Sequence, residues 1–298
     1  MVESSSVLKL TRLLLDRIPL PPINEDGDKN SRGVVLAIGG SERVPGAIML
    51  AGVAALRAGA GKLQIATVKR VAISLAMSLP EALVVGLRAG QAGEISREGN
   101  RRALREFVAD ADVVLIGPGA SDSDTLSAMI ADVVPQLRDS ATLVLDGAGI
   151  TALRGNDEML YPLQGRAILT PHTGEMASLL GIPREDVQAR ELEVAQECSA
   201  RFHCVVALKS SETIIAAPSE ATMCYRDGKA GLATSGSGDV LAGIVAGLSA
   251  RGAAPRTAAA WGVWAHGTAG NKLSRSVAQI GFLASELLAE VPHIIHGG

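Results

Sequence analysis

From Val34 onward the chain alternates short runs of β-branched residues with Ala- and Leu-rich stretches of helical length. Apolar runs too short for a helix predict buried strands, and their alternation with helices predicts a doubly wound, mostly parallel sheet. The predicted strands are Val34–Ile38, Lys62–Ala66, Ala82–Val85, Val113–Ile116, Thr142–Leu145, Ala167–Leu169, Val205–Leu208, Thr213–Ala216 and Thr222–Tyr225. No helical stretch separates the last three, which predicts a small antiparallel edge before a helical C-terminal third. Met1–Leu20 reads as a helix packed outside the sheet, and the polar, proline-bearing Pro21–Arg32 as a lead-in loop. Residues 1–31 thus precede a single domain over 32–298, of class α/β with helices on both faces of the sheet in three layers.

Composition narrows the partners. The 298 residues are 47% hydrophobic with 33 Gly and only 2% aromatic, so the core must be built from Ala, Val, Leu and Ile. A formal charge of −3, without a block of like charges, offers no surface for a nucleic-acid backbone. Cys198, Cys204 and Cys224 have no metal-type spacing, and such a sparse, odd set fits reduced thiols in the cytoplasm. Glu3, Lys9, Arg12, Asp16 and Arg17 interrupt any apolar signal core, and the apolar stretches near Val240 and Ala258 are too short to span a membrane.

Ligands on open α/β sheets collect at the carboxyl ends of strands, so the loops there carry the candidate chemistry. The most informative runs Gly-Leu-Ala-Thr-Ser-Gly-Ser-Gly-Asp from Gly231 to Asp239, ahead of the apolar helical run Val240–Leu248. Gly236 and Gly238 let the backbone approach an oxyanion, at which the helix aims free N–H groups and its positive dipole end. A carboxylate at Asp239 conflicts with a bound polyphosphate unless it faces the acceptor and handles its proton, which points to phosphoryl transfer. A plain helix cap is the competing reading. Gly39-Gly40-Ser41 with Gly46-Ala47, and Gly117-Pro118-Gly119-Ala120-Ser121, either present amides to a ligand or simply turn tightly. Asp146, at a strand end, either binds a hydroxyl or ion or caps the short helix after it. His172 and Glu175, three apart, share one helical turn. Glu175 there either holds a water of nucleotide-bound Mg²⁺ or closes a capping box, while His172 is placed to touch a substrate. Lys209, between two edge strands, is a cation for phosphate or a solvated loop lysine.

Six segments, in order over roughly Arg32 to the C-terminus, resemble the bacterial ADP-dependent NAD(P)H-hydrate dehydratases. They are Val34–Ala60 (VVLAIGGSERVPGAIMLAGVAALRAGA), Ile116-Gly-Pro-Gly119, Leu169–Glu175 (LTPHTGE), Leu208-Lys209, Gly231–Gly243 (GLATSGSGDVLAG) and Trp261–Gly270 (WGVWAHGTAG). The resemblance implies a ribokinase-like fold, a homotetramer, and repair of NADH and NADPH hydrated at C6 of the nicotinamide ring. Hydroxide leaves poorly, so ADP first phosphorylates the hydroxyl, yielding AMP, and phosphate then departs as the ring nitrogen pushes electrons in.

The same resemblance implies that Ala47, Gly119, His172 and Asp239 contact the hydrated cofactor, NADHX or NADPHX. It assigns the adenine nucleotide to Lys209, Ser210, Ser211, Glu212, Thr213 and Gly238, and Mg²⁺ to the surroundings of Glu175. Gly236, Ser237 and Gly238 would hold the charge of the transferred phosphoryl group, and Asp239 would accept or orient the hydroxyl proton. At a helix N-terminus the Asp239 carboxyl is expected to have a low pKa. Ser210 and Ser235 stand where the family usually has Gly, and Ala148 replaces a frequent second acid after Asp146. The Cβ of Ser210 is expected to limit backbone approach or loop freedom. About thirty residues precede the first motif, so an NAD(P)H-hydrate epimerase is expected on a separate chain. Two further readings use the same Gly-rich turn: an ATP-dependent kinase of a vitamin-precursor alcohol, and a nucleotide-binding protein without turnover. LTPHTGE fits the dehydratases better than the former; the presence of both Asp239 and Lys209 speaks against the latter.

Overall fold

The computed structural model describes residues 7–23, 27–121 and 123–296. Its first half contains β1 (Leu8–Lys9), α1 (Arg12–Leu15), β2 (Val34–Ile38), α2 (Pro45–Arg57), β3 (Lys62–Val68), α3 (Lys69–Ser78), β4 (Ala82–Leu87), α4 (Arg101–Asp110), β5 (Val113–Ile116), α5 (Ser123–Val133) and β6 (Thr142–Leu145). There follow α6 (Ala148–Thr151), β7 (Ala167–Leu169), α7 (Thr173–Leu180), α8 (Arg184–Ala189), α9 (Glu191–Phe202), β8 (Val205–Lys209), β9 (Thr213–Ala216), β10 (Met223–Tyr225), α10 (Ser237–Ala250), α11 (Pro255–Ser276) and α12 (Ala284–His296). Among the described residues these strands form one sheet in the order β1-β10-β9-β8-β7-β6-β5-β2-β3-β4.

Strands β2 to β8 pair in parallel, whereas β9 runs antiparallel to both β8 and β10, giving the expected edge. Successive side chains of a strand point to opposite faces, and the sheet uses both. Val35 and Ala37 of β2 pack with buried residues of α2, α10, α11 and α12, while Leu36 and Ile38 pack with those of α4, α5, α7 and α9. Three layers result.

The N-terminal helix expected over Met1–Leu20 is corrected. Residues 1–6 lie outside the described ones; Leu8 and Lys9 form an edge strand in parallel register with Met223 and Cys224, and α1 is a single turn capped by Thr11. Leu8 is half-buried, Lys9 exposed and Leu10 buried, the period-2 pattern of a strand rather than the 3.6 of a helix.

Two features place the candidate site. Gly243 and Gly247 on α10 lie against the α2 backbone, where a Cβ would fall 2.1 Å from the Ala51 oxygen and 2.3 Å from that of Ala55. The two helices therefore touch backbone to backbone, one opening near Asp239 and the other near Ala47. The loops after β2 and β5 also interlock, with the Gly40 N–H donating to the Pro118 carbonyl at 2.7 Å. Gly119, at φ +72°, lies so close that a Cβ there would meet the Val44 oxygen at 2.5 Å and the Ala47 Cβ at 3.0 Å. Strand β2 lies between β3 and β5, where strand order reverses, so this crevice is the one that open α/β folds use for ligands.

Candidate active site

The Gly-rich turn starts α10 as predicted. Gly236 occupies the N-cap position at φ +87°, and no side chain caps the helix. Asp239, in the first turn, is therefore not a cap. Val240 N–H donates the first helical bond, to the Gly236 carbonyl, whereas the Ser237 N–H turns back to the Thr234 carbonyl at 3.2 Å. Of the amides expected to hold an oxyanion, that of Ser237 is thus engaged; the first-turn amides of Gly238 and Asp239 have no intrahelical acceptor.

Facing Gly238 is Lys209, whose Nζ would lie 3.1 Å from a Cβ there. It is not a solvated loop lysine. It ends β8, its N–H donates to the Pro171 carbonyl at 2.8 Å, and its Nζ lies 3.1 Å from Asp146 Oδ1. Thr170 Oγ1 donates to the same carboxylate oxygen at 2.7 Å. The open question about Asp146 is answered likewise: α6 has no side-chain cap, and the buried carboxylate is the counter-ion of Lys209. Nothing in the spacing of the two residues along the chain announces this pair; only the adjacency of β6, β7 and β8 creates it.

His172 and Glu175 form a capping box at the start of α7. His172 Nδ1 accepts from the amides of Gly174 (2.9 Å) and Glu175 (3.2 Å), and Glu175 Oε2 accepts from the His172 N–H at 2.8 Å. His172 Nε2, which then carries the ring proton of the neutral form, lies 3.3 Å from Glu175 Oε1. A parallel bridge between His172 and Lys209 joins this box to the lysine.

Burial and mutual charge set the protonation states. Burial raises the Glu175 carboxyl, which Lys209 lowers and Asp146 raises further. The Asp239 carboxyl is pushed up to about 7, by burial first and then by Asp146 and Glu175 against the pull of Lys209. The low pKa expected from the helix end is therefore corrected: desolvation and two neighbouring carboxylates outweigh the dipole. Burial pulls the Lys209 ammonium down, but Asp146, Glu175 and Asp239 together keep it above its ordinary value.

The segment 209–213 is the tight turn between β8 and β9, in which Lys209 pairs with Thr213. Ser210 does not take a positive φ. Its hydroxyl donates to Glu191 Oε2 at 2.7 Å and accepts from the Glu212 amide at 3.3 Å, so the departure from Gly tethers the turn rather than straining it. The Glu212 carboxylate accepts from Cys224 Sγ (3.0 Å) and Arg226 Nε (3.2 Å), and Ser211 is exposed. His266 on α11 lies 2.9 Å from Ser237 Oγ through its Nε2. Sequence reasoning gave it no role, although a lone imidazole amid Ala and Gly in WGVWAHGTAG is a signal of one.

The family model described as NAD(P)H-hydrate dehydratase matches residues 35–293. The ADP-dependent (S)-NAD(P)H-hydrate dehydratase of Xanthomonas campestris is 44% identical over 97% of this chain and 96% of its own. The bifunctional NAD(P)H-hydrate repair enzyme of Moorella thermoacetica is 38% identical over 94% of this chain, which spans 52% of that longer protein. A solved ADP/ATP-dependent NAD(P)H-hydrate dehydratase of Bacillus subtilis, co-crystallised with ATP and Mg²⁺, superposes with a TM-score of 0.79 at 27% identity, covering 98% of each chain. The shared three-layer architecture is the ribokinase-like fold. A match that spans nearly the whole sheet, and a relative alike along almost its full length, place this chain in the NAD(P)H-hydrate dehydratase family.

Proposed function

We propose that the chain restores NADH and NADPH from the S epimers of their C6-hydrated forms, using ADP and releasing AMP and phosphate. The observation that carries this reading is the meeting of Asp239, in the first turn of α10, with the Gly238 backbone and the Lys209 ammonium, where burial pushes its carboxyl up to about 7. A base poised near neutral pH, next to an anion site, suits an alcohol that attacks a phosphoryl group.

In the first step the C6 hydroxyl oxygen bonds to the β-phosphorus of ADP, the bridging P–O bond breaks, AMP leaves, and the hydroxyl proton passes to Asp239. Positioning dominates such a loose transfer, in which the nucleophile loses its proton late. The Gly238 and Asp239 amides, at the turn begun by Gly236 and Ser237, and the Lys209 Nζ stabilise the charge on the moving group. In the second step the C6–O bond breaks with its electrons on phosphate, the ring nitrogen supplying density, and loss of a C5 proton restores the ring double bond. Ala47, Gly119 and His172 hold the nicotinamide substrate. The turn of Lys209, Ser210, Ser211, Glu212 and Thr213 holds the nucleotide, Glu212 through its backbone because its carboxylate is taken.

Mg²⁺ fits this donor set in one way. Among the described residues no three His, Cys, Asp or Glu side chains form a cluster able to hold a bare ion. Asp146, Glu175 and Asp239 nevertheless crowd negative charge around one lysine. An ion that keeps its waters and binds chiefly to phosphate suits such a set, with Glu175 holding a water through lone pairs left over from the capping box. Bound there, it would neutralise phosphate charge.

No helix among the described residues is long and apolar enough to cross a membrane. Cytoplasmic location is supported by the three free, buried cysteines. We assign the companion epimerase to a separate chain, in line with the Xanthomonas relative named for the dehydratase alone, and the assembly to a homotetramer. The test is to mix the purified chain with hydrated NADH and ADP. Absorbance of the reduced nicotinamide should rise while ADP yields AMP and phosphate in equal amounts; a stable phosphate ester, or no rise, contradicts the reading.

A further inference from the structure

We propose that His266 is a positioning residue for the phosphoryl transfer: its Nε2–H holds the Ser237 hydroxyl so that the hydroxyl proton is donated to the transferring group. The proposal rests on the function given above and assigns a role to a residue outside the Gly-rich turn.

Ser237 is the first residue of α10 and only 5% exposed, immediately before Gly238 and the Lys209 ammonium. Its N–H already serves the Thr234 carbonyl, so the group Ser237 has left for an anion is its hydroxyl. That hydroxyl lies 2.9 Å from His266 Nε2. Gly262, one turn earlier on α11, brings the two helices together: a Cβ there would fall 2.6 Å from Val245 Cγ2 on α10. The imidazole is thereby fixed over the start of α10.

A hydroxyl has one proton to give. With Nε2 bare, that proton goes to the ring and only lone pairs remain for the phosphoryl oxygens, which need donors. With the proton on Nε2, the ring donates to Ser237 Oγ and the hydroxyl proton is free. The second arrangement is the one that fits. Burial together with the Lys209 charge pushes the ring to about 4, so it is neutral and holds a single proton, which this proposal places on Nε2. Acceptors are plentiful nearby in Asp146, Glu175 and Asp239; the Ser237 hydroxyl adds a neutral donor to the Gly238 and Asp239 amides.

A double-mutant cycle tests this. Removing one donor to a developing oxyanion costs roughly 10²-fold in kcat, so Ser237→Ala and His266→Leu should each lower kcat by about that factor, with the KM for ADP little changed. Because His266 acts through the hydroxyl, the pair together should be no slower than the slower single variant. His266→Gln, which keeps an N–H donor, should recover at least about tenfold of the loss, and it replaces His266→Leu in the cycle should that variant not fold. Losses that multiply in the double variant, no effect at His266, or a rise in ADP KM with kcat unchanged would each overturn the proposal. Inactivity of the unmutated chain would instead remove the proposed function, and this role with it.

Discussion

Asp239 keeps a proton that an ordinary aspartate has shed by pH 5, and both activity and stability should register it. Its base form grows as pH rises, so kcat/KM should climb between about pH 5 and 8 with an inflection near 7, measured on the restored nicotinamide absorbance. The stability consequence has the opposite sign. A carboxyl whose folded pKa is raised contributes stability that is complete below the unfolded value and is lost as pH rises through about 7. Asp239→Asn should therefore melt roughly a few degrees above the parent at pH 8, and the gap should narrow at pH 5. The same variant should lose orders of magnitude in kcat while ADP affinity, read by calorimetry, stays within a few-fold; unchanged turnover would contradict the assignment. The place of Asp239 was legible in Gly-Ser-Gly-Asp, but its pKa was not, because the burial that raises it most, and the carboxylates that add to it just after β6 and on α7, come from elsewhere in the chain.

At the scale of elements, α10 is positioned by what it lacks. With a Cβ at Gly243 only 2.1 Å from the Ala51 oxygen, Gly243→Ala must force α2 and α10 apart. A stability loss of about 1–3 kcal/mol is expected in urea unfolding, with a fall in kcat, since these helices carry Ala47 and Asp239. The β8–β9 turn is held in the other way, by an added group. Ser210→Gly removes the tie to Glu191, and at about 0.5–1.5 kcal/mol for such a bond the KM for ADP should rise roughly 2- to 10-fold with kcat unchanged. All nine predicted strands are present, because a short apolar run bounded by polar residues admits few other structures. Strand β1 escaped: two residues paired with a partner far along the chain leave almost no local trace. The tie of Ser210 to Glu191 has no trace in the sequence either, since neither its backbone angle nor the presence of Glu191 can be read from neighbours along the chain.

Across the whole molecule, the site is a consequence of strand order. β6, β7 and β8 lie side by side in the sheet, so Asp146, the His172–Glu175 box and Lys209 meet at their carboxyl ends, and α10 delivers Gly238 and Asp239 to the same place. The loops of β2 and β5 form the neighbouring crevice, with Ala47 against Gly119. In the proposed reaction the first site would hold the group in transit, and the second would take its acceptor. The claim that the hydroxyl of the damaged cofactor receives a phosphoryl group before it leaves is tested most directly by its oxygen. Hydrated NADH carrying heavy oxygen at C6 is turned over with ADP, and the products are weighed by mass spectrometry. The account predicts the label in inorganic phosphate, one atom per cofactor restored; label released into water, with ordinary phosphate, would contradict it.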